Sequence, residues 1–272
     1  MKRVLAISDT HCGAHFGLTP PDWQTNPREH ANEDRSKMAK WAKLQRELWD
    51  RYCALLKELA PIDVVLFLGD AIDGKGKKSG GTELITTDRT VQADMAVKVF
   101  DTVRLHGRPK HEIKMVSVYG TGYHTGTEED WENVVADKAG VDKLGSHEWP
   151  EVEGVVFDIK HAIGTSTIPH GRGTAMLRDM LWNDLWAMDE MQPRASVLLR
   201  GHAHYFSGLM TANKSGFILP ALCGMGSKFG SRICSGTVHW GMMHFDCNNG
   251  NVLNWDKHIV TIESQKATTT KL

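Results

Sequence analysis

The chain has 272 residues, 41% of them hydrophobic, which suffices to bury a sizeable core as one large α/β domain. Its 32 lysines and arginines nearly balance 33 aspartates and glutamates, and a formal net charge of −1 excludes a global field recruiting nucleic acid or an anionic membrane. Five cysteines, at 12, 53, 223, 234 and 247 with no C-x-x-C pair, argue against a disulfide framework or a zinc knuckle and fit a reducing compartment.

The amino terminus offers only a few apolar residues before Asp9, too few for a signal peptide or a membrane span, so a cytoplasmic protein with no membrane partner is expected. Val4 to Ser8 is a continuous apolar run and reads as a strand buried on both faces, ending at Asp9-Thr10-His11. A loop with three prolines follows to about Asn32. Met38, Trp41, Leu44, Leu48, Tyr52, Leu55, Leu56 and Leu59 recur at helical steps and predict a long amphipathic helix that Pro61 stops. Asp63 to Leu68 is the next strand, running out into Gly69-Asp70-Ala71-Ile72-Asp73. The glycine-lysine segment 74–81 reads as a mobile surface loop with no means of packing a core.

Helical spacing resumes from Val91 to Val103, and Ile113 to Val118 forms a third strand that ends in the turn Tyr119-Gly120-Thr121-Gly122-Tyr123-His124. Glu128-Glu129-Asp130 opens another helix, where negative charge near the N-terminus is favourable. Val155 to Ile159 alternates like a strand and reaches His161. After a loop containing His170 and Arg172 comes a Met- and Trp-rich helix to about Met191, whose spacing reads as core. Ser196 to Leu199 is a further strand, before Gly201-His202-Ala203-His204. The last third reads as β, at 217–219, 238–245 and 252–262, with Asn248-Asn249-Gly250 as a hairpin turn. No repeat or linker divides the chain, which predicts one domain over 1–262 and a frayed tail over 263–272. Strands alternating with helices and then mostly strands fit two sheets packed together with helices outside.

Strand ends thus deliver Asp9, His11, Asp70, His124, His161, His202 and His204. Any one of these short motifs alone is more often a turn or a helix cap than a ligand set; their repeated position after apolar strands reverses that reading. Carboxylates with imidazoles, and no thiolate, select Mn, Fe or Zn over Cu(I) or an iron–sulfur cluster. So many ligands exceed the need of one tetrahedral ion, which points to two ions sharing a carboxylate, with Asp70 as the bridge. Cys12, next to His11, reads as a packing residue.

Asp9-Thr10-His11, Gly69-Asp70-Ala71-Ile72-Asp73, His161 and Gly201-His202-Ala203-His204 stand in the order of the D-x-H, G-D-x-x-D, lone histidine and G-H-x-H motifs. In this the chain, from 4 to about 260, resembles the calcineurin-like metallophosphoesterase superfamily, and its third motif looks like a viral or prophage-type variant. The resemblance implies an α/β fold, a four-layer α-β-β-α sandwich of two mixed sheets with the metals at the carboxyl edges of the strands. It implies Asp9, His11 and His204 on one divalent ion and Asp70, His161 and His202 on the other, Asp70 bridging, with manganese expected and iron, zinc or nickel open.

The third motif departs from the family's Gly-Asn-His. Here it is Gly120-Thr121-Gly122-Tyr123-His124, so that the ligating asparagine is missing and His124 arrives two residues late. Two roles are open to His124: general acid on the leaving oxygen, or ligand in the asparagine's place. Asp73 reads as orienting a ligand histidine. His170 and Arg172 either reach a substrate phosphate or sit on a solvated loop. Lys75, Lys77 and Lys78 are either solvated or gather a polyanion such as nucleic acid. The remaining histidines, at 15, 30, 106, 111, 147, 239, 244 and 258, read as loop or strand-face residues without function. The function expected is hydrolysis of phosphate mono- or diesters by metal-activated water. The alternatives are a nuclease or nucleotide phosphodiesterase, or a non-catalytic metal-binding scaffold of the same fold. Substrate and oligomeric state are not legible in the sequence.

Overall fold

The apolar runs pair into two mixed sheets in the computed structural model, which describes residues 1–126, 130–226, 238–267 and 269–271. In chain order the elements are β1 (Lys2–Ile7), α1 (Asn32–Leu59), β2 (Val64–Phe67), α2 (Arg89–Arg104), β3 (Lys114–Val118), α3 (Gly122–Thr125), α4 (Trp131–Ala139), β4 (Lys143–Gly145), β5 (Glu151–Val152) and β6 (Val155–Lys160). After them come α5 (Thr174–Met188), β7 (Val197–Arg200), β8 (Ser207–Met210), β9 (Ser215–Ile218), β10 (Trp240–Asn248) and β11 (Asn251–Val260).

One sheet runs β11-β10-β1-β2-β3-β4 and the other β5-β6-β7-β9-β8. Within the first, β1, β2 and β3 are parallel, with Val4 opposite Val64 and Val64 opposite Lys114. Within the second, β6 and β7 are parallel, with Lys160 opposite Arg200. Parallel pairing forces the carboxyl ends of neighbouring strands to one edge, where α/β folds hold their ligands.

Alternation along the strands divides the core into layers. Val4, Ala6, Leu66, Phe157, Ile159, Leu199 and Phe245 fill the space between the sheets. Leu5, Ile7, Val65 and Phe67 face the other way, onto α1 and α2 through Leu48, Tyr52, Val99 and Phe100. Leu198 and Ile218 meet Met176 and Met180 of α5 on the outer face of the second sheet. The result is the α-β-β-α sandwich that the resemblance implied, with each fully buried aliphatic or aromatic side chain contributing about 1.5–3 kcal/mol. At the β10–β11 hairpin the two turn residues Asn249 and Gly250 both have positive φ, 47° and 77°, the geometry an Asn-Gly turn favours.

Four expectations change. Met176 and Met180 are buried, but Trp182, Trp186, Met188 and Met191 are 51%, 44%, 70% and 68% exposed, so helical spacing marked the helix and not a buried face. In the glycine-lysine segment Lys75 and Lys77 are exposed as expected, yet Gly76 and Ser79 are buried, because a short 3-10 turn folds the segment back on itself. The start of the tail is docked: Glu47 accepts the backbone N–H groups of Glu263 and Ser264 at 2.7 and 2.9 Å, and Gln265 bonds both ways with Met225. Short strands β4, β5 and β8 carry too few residues for a pattern and were not foreseen. Glu128, Glu129 and Cys234 lie outside the described residues; Asp130 caps α4 through the N–H of Glu132. Among the described residues no helix is long and apolar enough to cross a membrane.

Candidate metal centre

The two sheets meet at their carboxyl edges. Leu222 donates to the Ser8 carbonyl, and the backbone N–H of His202, after β7, donates to Asp9 Oδ2 at 3.1 Å, after β1. Asp9, His11, Asp70 and His161 are each at most 2% exposed, His204 is partly exposed and His202 is exposed. The strand-end residues therefore converge in one cluster, buried on the Asp9, His11, Asp70 and His161 side.

Backbone conformation marks the same residues. Nine non-glycine residues have positive φ among those described, and five of them are Asp9, His11, Asp70, His202 and His204, between 44° and 68°. Such conformations each cost on the order of 1–3 kcal/mol and persist where the surroundings over-determine them, typically at functional sites. Close backbone approach adds a second constraint. A Cβ on Gly120 would stand 2.2 Å from Asp70 Oδ1, and one on Gly69 would stand 2.7 Å from Gly120 itself, so only glycine fits either position.

His11 Nε2 lies 3.3 Å from His204 Nε2 and 3.7 Å from Asp9 Oδ1, while His204 Nε2 is 3.1 Å from that same oxygen. Asp70 Oδ2 is 4.0 Å from His11 Nε2 and 3.1 Å from His161 Nε2, so this carboxylate stands between two groups of ligand atoms. Asp9, His11 and Asp70 converge as one potential metal-binding group, and Asp70, His161 and His202 as another. Atoms held about 2.0–2.2 Å from a common ion are about 3–3.5 Å apart, close to several of these separations.

The tautomers test the fit to a cation. His161 Nδ1 donates to the Leu68 carbonyl, which can only accept, so neutral His161 carries its lone pair on Nε2. In that tautomer the buried nitrogen has no proton to give, and it faces a carboxylate oxygen at 3.1 Å. Likewise His11 Nδ1 is held by Asp73 Oδ1 at 3.1 Å, which turns the Nε2 lone pair towards His204 and Asp9. Acceptors facing acceptors in a buried site call for positive charge.

Without an ion the rings take that part. Burial disfavours a charged His11, but hydrogen bonds to Asp73 and Asp9 outweigh it and push the ring up to about 10; His161 rises to about 9 in the same way through Asp70. Asp70 falls to about 2 against its burial because of His161, and Asp9 is held well below the usual range by His204 and His11. His202 is lowered by burial and then by the charge of His161.

Asp73 joins two imidazoles, its Oδ1 standing 3.1 Å from His11 Nδ1 and 3.4 Å from His124 Nδ1. His124 also uses Nδ1 towards the Asp73 carbonyl at 3.0 Å, and its ring is 4.5 Å from that of His11. It belongs to the Asp73 side of the cluster and not to the group of Asp70, His161 and His202. Arg172 stacks its guanidinium over Tyr205 at 4.5 Å, and His170 is exposed. Among the described residues neither makes a hydrogen bond or ion pair to the cluster.

Several partners escaped sequence reasoning. Thr121 gives Asp70 Oδ1 its backbone N–H at 2.7 Å and its hydroxyl at 3.1 Å, standing where the asparagine of the third motif was missed. Ser8 Oγ donates to Asp9 Oδ2 at 2.5 Å, and its position just before Asp-x-His is the one available signal. Cys223 Sγ lies 3.6 Å from His204 Nδ1, and the His239 N–H donates to the His204 carbonyl at 2.8 Å. Nothing in the sequence marks these last two. Cys12, as expected, packs into the helix-side core.

No family model matches the chain, and no curated protein sequence matches it. Among solved structures it is similar to Chaetomium thermophilum Vps29, at 12% identity over 96% of this chain and 100% of that one, with a TM-score of 0.46. Wild-type Vps29 of Entamoeba histolytica in complex with Zn is 14% identical over 95% and 98%, with a TM-score of 0.43. An archaeal phosphodiesterase is 10% identical over 95% and 99%, with a TM-score of 0.43. The chain combines a two-sheet α/β fold with the D-x-H, G-D-x-x-D and G-H-x-H motifs in that order.

Proposed function

We propose that the chain is a dinuclear metal-dependent phosphoesterase. The observation that carries this reading is the buried His161 Nε2, which in the neutral ring turns its lone pair to a carboxylate that also borders the Asp9–His11 group. Asp9, His11 and His204 would hold one divalent ion, and Asp70, His161 and His202 the other, with Asp70 placed to serve both. Manganese suits this oxygen and nitrogen donor set, as do iron, zinc and nickel. When bound, the ions supply an activated water and neutralise the phosphoryl oxygens.

The chain's own residues do the rest. Ser8 and the His202 N–H fix the orientation of Asp9, and Thr121 fixes that of Asp70, so neither carboxylate has to reorganise when substrate arrives. Asp73 holds His11 by Nδ1 and so keeps Nε2 as the free donor atom. His124, steadied by the Asp73 carbonyl and partly exposed, offers a proton to the leaving oxygen as general acid. Arg172 and His170 lie on the loop after His161 and recruit the phosphate of a bound ester. The exposed Lys75 and Lys77, next to Asp73 in sequence, favour a polyanionic ester such as single-stranded nucleic acid as a second substrate class.

The test is hydrolysis of a chromogenic phosphate mono- and diester by chelator-stripped protein with and without Mn(II). Turnover only with metal is expected; equal rates in both arms would sink the reading.

A further inference from the structure

Among the described residues the outer face of α5 carries an apolar surface that the proposed metal site does not use. Met176, Met180 and Asn183 point inward to the second sheet, while Leu177, Leu181, Trp182, Leu185, Trp186 and Met188 are between 41% and 70% exposed. Water-facing helix positions are ordinarily polar. These six large apolar side chains stand on one helix, whereas apolar residues on a monomer's surface are ordinarily scattered singly. A cleft of about 530 Å³ opens beside the same helix, with Trp149, Trp182, Trp186 and Met191 among its apolar walls and Lys160, Asp179 and Arg200 among its charged ones.

We infer that this face is a two-fold interface between two copies of this chain, with the two α5 helices antiparallel. The charges on the helix support a second copy over any other occupant. Arg178, Trp182, Leu185 and Asp189 follow one another at steps of four, three and four residues and form a single stripe. Arg178 lies as far before the middle of that stripe as Asp189 lies after it. An antiparallel pairing about that middle sets Trp182 beside the partner's Leu185, with Leu181 and Trp186 flanking the stripe on opposite sides. It also brings Arg178 to the partner's Asp189 at both ends. Both residues are exposed, and neither has an ion-pair partner among the described residues. A surface that complements itself in shape class and in charge under one two-fold is what an isologous dimer requires. Antiparallel helices also oppose their macrodipoles favourably.

Sedimentation equilibrium of the full chain over a roughly hundredfold concentration range reads the association directly. Wild type is expected to reach twice the chain mass, and Leu181→Asp with Trp186→Asp to remain at the chain mass. Arg178→Asp alone should weaken association by about tenfold, and Arg178→Asp combined with Asp189→Arg should restore it. These positions are exposed, and an unchanged circular dichroism spectrum and unfolding midpoint will confirm that each variant folds. A monomeric wild type, whatever else covers the helix, overturns the inference. So does a dimer that survives the paired aspartates, or a charge swap that fails to restore association.

Discussion

Asp9, His11, Asp70, His202 and His204 share a left-handed backbone that is uncommon for non-glycine residues, though Asp and His adopt it more readily than most. The strain follows from turning sharply at a strand end so that carboxylates and imidazoles face one another across the junction of two sheets. Motif spacing made these residues legible, because each stands directly after an apolar run. Thr121 was not legible: a threonine after a glycine is common in turns, and only the fold brings its N–H and hydroxyl to Asp70. The role proposed for His124 is that of general acid, with its Nδ1 on Asp73; the same ring also converges with His11 and Asp73 as a potential metal-binding group. His124→Ala is therefore expected to lower kcat by about 10²–10⁴-fold while bound metal stays unchanged. Metal analysis of the purified variant decides, since loss of an ion would make His124 a ligand.

At the scale of elements, β6 and β7 carry a buried polar pair behind the site. Arg200 reaches Asp158 Oδ1 at 2.7 Å and Asp179 at 2.9 Å, and Asp158 also meets His147 at 2.8 Å. Burial works against the Asp158 charge, but His147 and Arg200 hold the carboxyl below its ordinary range. A depressed folded value stabilises the fold above the unfolded pKa of about 3.9, and that contribution is lost as pH falls through the folded value. Arg200→Met strands a buried carboxylate and is expected to cost about 3–5 kcal/mol near neutral pH. The gap to wild type should narrow below about pH 4, as Asp158 takes up its proton. Urea unfolding at neutral and acid pH measures both, and a gap that does not change with pH would contradict the assignment.

The elements also show where sequence reading runs out. Val4 to Ile7 and Val64 to Phe67 announced themselves because strands buried on both faces are continuously apolar. The helical period of α5 was equally plain, yet its apolar residues on the outer face look the same in sequence as those on the inner one. Periodicity reports the element and not what covers it. β4 and β5, at three and two residues, exist only because β3 and β6 offer them backbone partners.

At the scale of the whole molecule, the parallel central strands of each mixed sheet and face-to-face packing between the sheets bring carboxylates from the first sheet to imidazoles from the second. Asp70 is the point where the halves meet, bordered by Thr121 from the end of β3 and His161 from the end of β6. This makes it the bridging residue of the account, and counting metal ions tests that role most directly. Chelator-stripped protein titrated with Mn(II) is expected to bind two ions per chain, while Asp70→Asn, folded as wild type, loses at least one of them and its hydrolytic activity. Wild type that binds no more than one ion, or an Asp70→Asn variant that binds two and turns over normally, would contradict it.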